Sequence, residues 1–183
     1  MRPLLFALSL LLLAGCTVIQ VNVDYRPGYD FSQIGRYYWQ PPQSEPQLTS
    51  VFTSELVSDR VARAIEAEFL AQGILRSDSQ DQAELLVSYR IGIEKRVELD
   101  AFMGLEGSYS LHRGGLGLGF LGTRSQEYRE ATLVIDLRDP KDQRLLWRGM
   151  AERRLRLFDK PEQYDVFITE TVAAILKRYP PSQ

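Results

Sequence analysis

The sequence predicts an α+β fold: a mainly antiparallel sheet with two helices packed on one face, in the order ββαβββα. Three observations carry this. Apolar and polar residues alternate over 85–99, 131–137 and 145–151, the period of half-buried strands. Two other stretches, 54–72 and 161–176, carry apolar stripes at helical spacing. The strands come in runs with no alternating βαβ repeat, which favours helices segregated to one face of an antiparallel sheet.

The first strand is expected at 18–23, where Ile19, Val21 and Val23 alternate with Val18, Gln20 and Asn22. A second is expected at 36–40, because Tyr37, Tyr38 and Trp39 favour extended backbone and Pro41-Pro42 then ends pairing. Residues 41–50, rich in Pro, Gln and Ser, read as a loop. Thr53 or Ser54 supplies an N-cap for a helix with the stripe Val57, Val61, Ala64, Ile65 and Phe69, closed by Gly73. The long strand from Leu85 follows. Ile135 and Trp147 are expected in the core of a later hairpin, with Asp139-Pro140-Lys141-Asp142 as its turn. Asp159, with Pro161 at a first-turn position, opens the last helix, which carries Tyr164, Phe167, Ile168, Thr171, Val172, Ile175 and Leu176, and Pro180-Pro181 closes it.

Where the chain resides is legible at its start. Arg2, an apolar run from Leu4 to Leu13 too short to span a bilayer, and the small pair Ala14-Gly15 lead to Cys16, the only cysteine. Leu13-Ala14-Gly15-Cys16 reads as a lipobox. Residues 1–15 are then a cleaved signal peptide, and residues 16–183 one domain carrying acyl chains on Cys16, as the resemblance to bacterial lipoprotein signals implies. Cys16 is expected to be the sole membrane anchor, since no later segment reaches the roughly 20 apolar residues of a spanning helix. More than one acyl chain makes release slow. Thr17 is not the Asp of an inner-membrane retention signal, so the expectation is the outer membrane of a Gram-negative bacterium, facing the periplasm. A lone cysteine leaves stability to packing rather than disulfides.

Composition narrows the function classes. With Arg2 removed, 21 of the 22 basic residues oppose 24 acidic ones for a formal charge of −3, which argues against nucleic acid as a partner. Arg148, Arg153, Arg154 and Arg156 cluster locally, but on a strand they alternate faces and read as solvated. Seven of the 13 glycines lie in a flap at 103–122, which joins two strands and also carries Leu116, Leu118, Phe120 and Leu121. Those four are the candidate contact surface. Gly117-Leu118-Gly119-Phe120-Leu121-Gly122 matches a dinucleotide loop by letter, but a strand rather than a helix should follow it. His112, beside Ser108 and Ser110, lacks a rigid frame for a catalytic base. Two acidic spacings, Asp78/Asp81/Glu84 and Asp136/Asp139/Asp142, lack the calcium-loop glycine and suit turns and caps. Trp39 and Trp147 read as core rather than as a ligand groove. No catalytic, cofactor-binding or metal-binding residue is assigned, and no cofactor is expected.

The lipobox, the early strand, Tyr37-Tyr38-Trp39-Gln40-Pro41-Pro42, Ala83-Glu84-Leu85-Leu86-Val87-Ser88-Tyr89, the Gly-rich insert, Thr132-Leu133-Val134-Ile135-Asp136-Leu137 and Leu146-Trp147-Arg148-Gly149 occur in that order. In this the chain resembles the bacterial lipoproteins of domain of unknown function 4136. The resemblance implies an envelope address and an α+β fold and brings no catalytic residues. The expected function is a lipid-anchored, periplasm-facing lipoprotein with a non-enzymatic binding or structural role and an envelope protein as partner. The alternatives are a small-ligand module with a cleft between sheet and flap, and a hydrolase built on a carboxylate pair.

Overall fold

The computed structural model describes residues 19–40, 54–103 and 121–181, with 99–103 and 121–124 as backbone alone. The strands are β1 (Val21–Tyr25), β2 (Arg36–Trp39), β3 (Leu75–Arg76), β4 (Leu85–Met103), β5 (Leu121–Arg138) and β6 (Leu145–Arg154); the helices are α1 (Glu55–Ala71) and α2 (Pro161–Leu176). They form one mixed sheet in the order β1-β6-β5-β4-β2-β3. The β1, β6, β5 and β4 neighbours are antiparallel, as expected. At the other edge β2 runs parallel to both β3 and β4. The observed order is ββαββββα, the short β3 being the one addition to the expected order, and the mainly antiparallel sheet is made mixed by this parallel edge. Its cause is α1, about 26 Å long at 1.5 Å per residue, which carries the chain back to the end where β2 began, so the next strand starts in the same direction.

Both helices cover the same face. The α1 stripe Val57, Val61, Ala64, Ile65 and Phe69 is buried in full, and Ser54 occupies the N-cap. Gly73, just past the helix, has φ +80°, a conformation glycine adopts without the Cβ clash of other residues. Pro161 takes the first position of α2, and Gln163 accepts a hydrogen bond from the Lys160 N–H at 3.2 Å. The helices are joined by Arg60 and Asp165 at 2.7 Å. Under them lie Leu85 and Val87 of β4, Leu133, Ile135 and Leu137 of β5, and Trp147 and Ala151 of β6.

Trp147 sets the local geometry. It is fully buried, and its ring lies across Gly149 two residues on. A methyl group at Gly149 would overlap both the Trp147 ring and Ile175 of α2. Tyr179 meets Trp147, Phe31 and Phe69 edge-on, at centroid distances of 5.5, 5.7 and 6.3 Å. Its hydroxyl, like the Trp147 indole N–H, is buried with no hydrogen-bond partner among the described residues.

The β4–β5 ladder is the longest, running from Leu86↔Arg138 to Met103↔Leu121. The β6 ladder stops at Glu130↔Arg154, so the rest of β4 and β5 continues as a two-stranded ribbon. Its ends bracket the flap as expected. Residues 104–120, and with them Leu116, Leu118 and Phe120, lie outside the described residues, as do Cys16 and the signal segment.

Two outcomes follow from this packing. Gly149→Ala is expected to lower unfolding free energy by about 2–3 kcal/mol through overpacking, read from urea melts. A surface-like loss under about 0.5 kcal/mol would contradict the contact. Burial pushes the Tyr37 phenol up to about 12, with the Glu66 charge adding to it, and burial raises Tyr179 as well. Both phenols are neutral when folded, so the stability they contribute is intact below the unfolded value near 10 and falls as pH rises toward 12. Urea midpoints should decline over that window. Tyr179→Phe should flatten the decline and, by removing an unpaired hydroxyl, leave stability at neutral pH unchanged or higher.

Candidate functional site

The face of the sheet away from the helices is organised by one carboxylate. Strand alternation puts Asp136 opposite in direction to Ile135 and Leu137, and the ladders set Ser88 on one side of it and Arg148 on the other. Arg148 grips it with both prongs, Nε to Oδ1 at 2.6 Å and Nη2 to Oδ2 at 2.8 Å. Arg90 and Arg138 approach Oδ2 at 3.5 and 3.6 Å. Three guanidiniums therefore bury Asp136 to 3% exposure on a face that neither helix covers. Hydrogen bonds to Asp136 hold the Arg148 guanidinium above its ordinary value, against a smaller opposing effect of burial. Asp24 of β1 sits across from Arg148 and extends the charge alternation to the sheet edge.

In the sequence Asp136 reads as a turn acid; the structure places it instead at the centre of this cluster. The usable signal was the hairpin register. A turn at Asp139–Asp142 with Leu137 opposite Trp147 forces Asp136 opposite Arg148. The other acids do cap turns: Asp139 accepts from the Lys141 N–H at 2.8 Å and Asp142 from the Arg144 N–H at 3.0 Å. Glu84 accepts the Gly35 and Arg36 N–H groups at 2.8 and 2.7 Å, fixing the start of β2. No group of three or more metal-ligating side chains occurs among the described residues.

The arginine cluster divides between faces. Arg148 and Arg154 lie on the open face, where Arg154 stacks over the Tyr128 ring at 4.3 Å. Arg153 lies on the helix side and is not solvated: it stacks on Phe167 at 3.9 Å and donates to Phe167 O and Thr171 Oγ1, each at 2.9 Å. Trp147 and Ile135 are in the core as expected. Trp39 is half-buried, its indole donating to Glu66 Oε1 at 2.9 Å. His112, Ser108 and Ser110 lie outside the described residues; Leu121 and Gly122 belong to β5, so a strand follows the glycine motif. Of the four candidate contact residues, only Leu121 is placed, as the first residue of that strand.

Of the concavities among the described residues, two bear on the readings above. Between the helices and the sheet, Ile91, Leu133, Tyr164, Phe167 and Ile168 line an apolar slot of about 50 Å³. That volume holds a few heavy atoms at most, far below the roughly 300 Å³ of small-molecule sites. At the β1 edge, a shallower groove of about 720 Å³ separates the strand from the end of α2.

These features define a two-layer α+β protein, with helices over one sheet face and the other held by ion pairs. The chain belongs to the family described as domain of unknown function (DUF4136), whose model matches residues 21–181. No curated protein matches it. Among solved structures it is similar to a PDZ domain protein from Parabacteroides distasonis at 13% identity and TM-score 0.56, covering 90% of this chain and 36% of that one. The chain thus spans about a third of that protein. It is also similar to a PelC dodecamer from Paraburkholderia phytofirmans (12% identity, TM-score 0.49, 91% and 100% of the two chains). A third is a DUF4136 family protein from Bacteroides thetaiotaomicron (14% identity, TM-score 0.47, 88% and 96%). At such identities the likeness concerns the fold alone.

Asp136→Asn would leave three guanidiniums facing a neutral amide. The expected cost is about 3 kcal/mol, at the low end for a broken buried pair because the arginines are partly solvated. Urea melts should show this loss surviving in about 0.5 M salt, since a buried carboxylate is little screened. A loss erased by salt would class the cluster with ordinary surface pairs.

Proposed function

We propose that this protein is an outer-membrane lipoprotein, anchored through Cys16 and facing the periplasm, whose domain binds or braces another envelope component and catalyses no reaction. The observation that carries this is the shortness of the connection. β1 begins at Val21, five residues after Cys16, a reach of roughly 17 Å even when extended. A domain held that close presents a fixed edge near the bilayer, which suits bracing better than long-range delivery. The polar groups agree with it: Asp136 is spent on three arginines and Glu84 on two backbone amides, so each acts as a strut. No helix among the described residues is long and apolar enough to cross a membrane, leaving the proposed anchor to the lipid.

Cys16→Ala is expected to abolish incorporation of radiolabelled palmitate and to remove the protein from the outer-membrane fraction. Continued labelling would refute the anchor. A Gly/Ser spacer of about 20 residues inserted after Cys16 should keep the label. It should also abolish adducts between a photoreactive residue at position 25 and envelope proteins in intact cells; adducts indifferent to the spacer would refute close seating.

A further inference from the structure

The edge strand β1 has its backbone and its side chains directed at the same groove. The Arg26 N–H donates to Leu146 O at 2.8 Å, which fixes the parity of the β1–β6 ladder. In an antiparallel pair, hydrogen-bonded and non-hydrogen-bonded positions alternate. Asn22 and Asp24 therefore turn their N–H and C=O groups toward β6, while Val21, Val23 and Tyr25 turn theirs outward, where no strand among the described residues lies. The side chains of these same three residues line the groove of about 720 Å³, and Ala174, Lys177 and Arg178 of the α2 end form its opposite wall. Among the described residues, Lys177 and Arg178 are the only charged ones lining it; both are exposed, and neither has an ion pair there.

We propose, on the binding reading above, that this groove takes an extended segment of a partner protein as an added strand beside β1. Its backbone bonds the outward groups of Val21, Val23 and Tyr25. Alternate side chains enter the groove, apolar ones over the valines and a carboxylate at Lys177 and Arg178. Charge selects the occupant. A second copy of β1 would offer Val, Val and Tyr to the groove with no acid, and would bring two pairs of cations together, so a carboxylate-bearing partner fits better.

The test uses the full-length acylated protein in detergent and a fluorescent pentapeptide in which valine, valine and glutamate alternate with threonines. A second peptide has lysine for the glutamate. The glutamate peptide should bind saturably by fluorescence polarisation, at least about tenfold tighter than the lysine peptide. Lys177→Glu with Arg178→Glu, both exposed, should invert that preference. Val21→Pro should abolish binding of either peptide with little effect on the melt, because it removes an outward N–H and leaves the β6 bonds intact. Equal binding of the two peptides, no binding, or binding indifferent to Val21→Pro would overturn the inference. So would a concentration-dependent dimer that Val21→Pro dissolves, which would give the groove to a second copy. Palmitate labelling of the same samples separates the two readings: lost binding with the label present overturns strand addition alone, whereas an unlabelled wild type overturns the anchor and leaves the peptide result standing.

Discussion

The missing side chain at Gly149 is the constraint on which the rest of the packing depends. Trp147 can lie flat against its own strand only because nothing rises from the sheet two residues further on, and α2 can bring Ile175 down onto that place for the same reason. The close approach of helix to sheet then draws in Tyr179, whose ring touches three others from separate parts of the chain. Phe31 belongs to the turn after β1, Phe69 to α1 and Trp147 to β6. One small residue thus lets four elements share a single aromatic cluster. Two polar atoms in it, the indole N–H of Trp147 and the hydroxyl of Tyr179, are buried with no hydrogen-bond partner among the described residues, at a cost of roughly 1–3 kcal/mol for each unmade bond.

The other face of the sheet solves a different problem. With no described helix above it, it buries little apolar surface beyond Leu86 of β4, and ordinary surface ion pairs contribute about 0–1 kcal/mol each. Asp136 departs from that pattern because three guanidiniums exclude water from it, and the bidentate grip of Arg148 fixes direction as well as distance. Its removal is therefore costlier than its presence is beneficial, the asymmetry of any buried charge. The effect is to tie β4, β5 and β6 together from the side opposite the core, through residues that interleave with Val87, Ile135 and Trp147 along the same strands.

The sequence made the helices and the central strands legible because each depends on a local period: the five buried residues of α1 are those of its apolar stripe, and the β5–β6 turn carries its own Asp and Pro. What it hid was pairing. A five-residue strand such as β1 has weak periodicity, and its pairing begins at Val21↔Ala151, three residues short of the end of β6 at Arg154. The two-residue β3 has no pattern of its own and exists only because Leu75 and Ser77 donate N–H groups to Gly35 O and Tyr37 O, at 2.8 and 2.7 Å. Parallel pairing of β2 with β4 required knowing where α1 would deposit the chain. Asp136 was hidden for the same reason: its meaning lies in three arginines from β4, β5 and β6, which become neighbours only once the register is fixed. The groove beside β1 joins residues more than 140 positions apart, and no spacing announces it.

The edges of the sheet show how selectively its free backbone is exposed. β3 closes one end with two residues, too short to template another strand. β4 is unpaired by β2 beyond Val87, yet it carries Arg90, Glu94, Lys95, Arg96 and Glu98, and Arg96 is tied to Glu130 at 3.1 Å. Charges so placed are the usual guard of an edge strand against unwanted pairing. β1 lacks that guard: its one charge, Asp24, is turned to the open face and toward Arg148, and the side facing the groove is Val, Val and Tyr. Among the described residues the sheet thus carries five charges along its long edge and one, turned away, along the short edge beside the proposed anchor, which is the arrangement the proposed strand addition requires. In that proposal the basic residues at the end of α2 restrict which strands would use it.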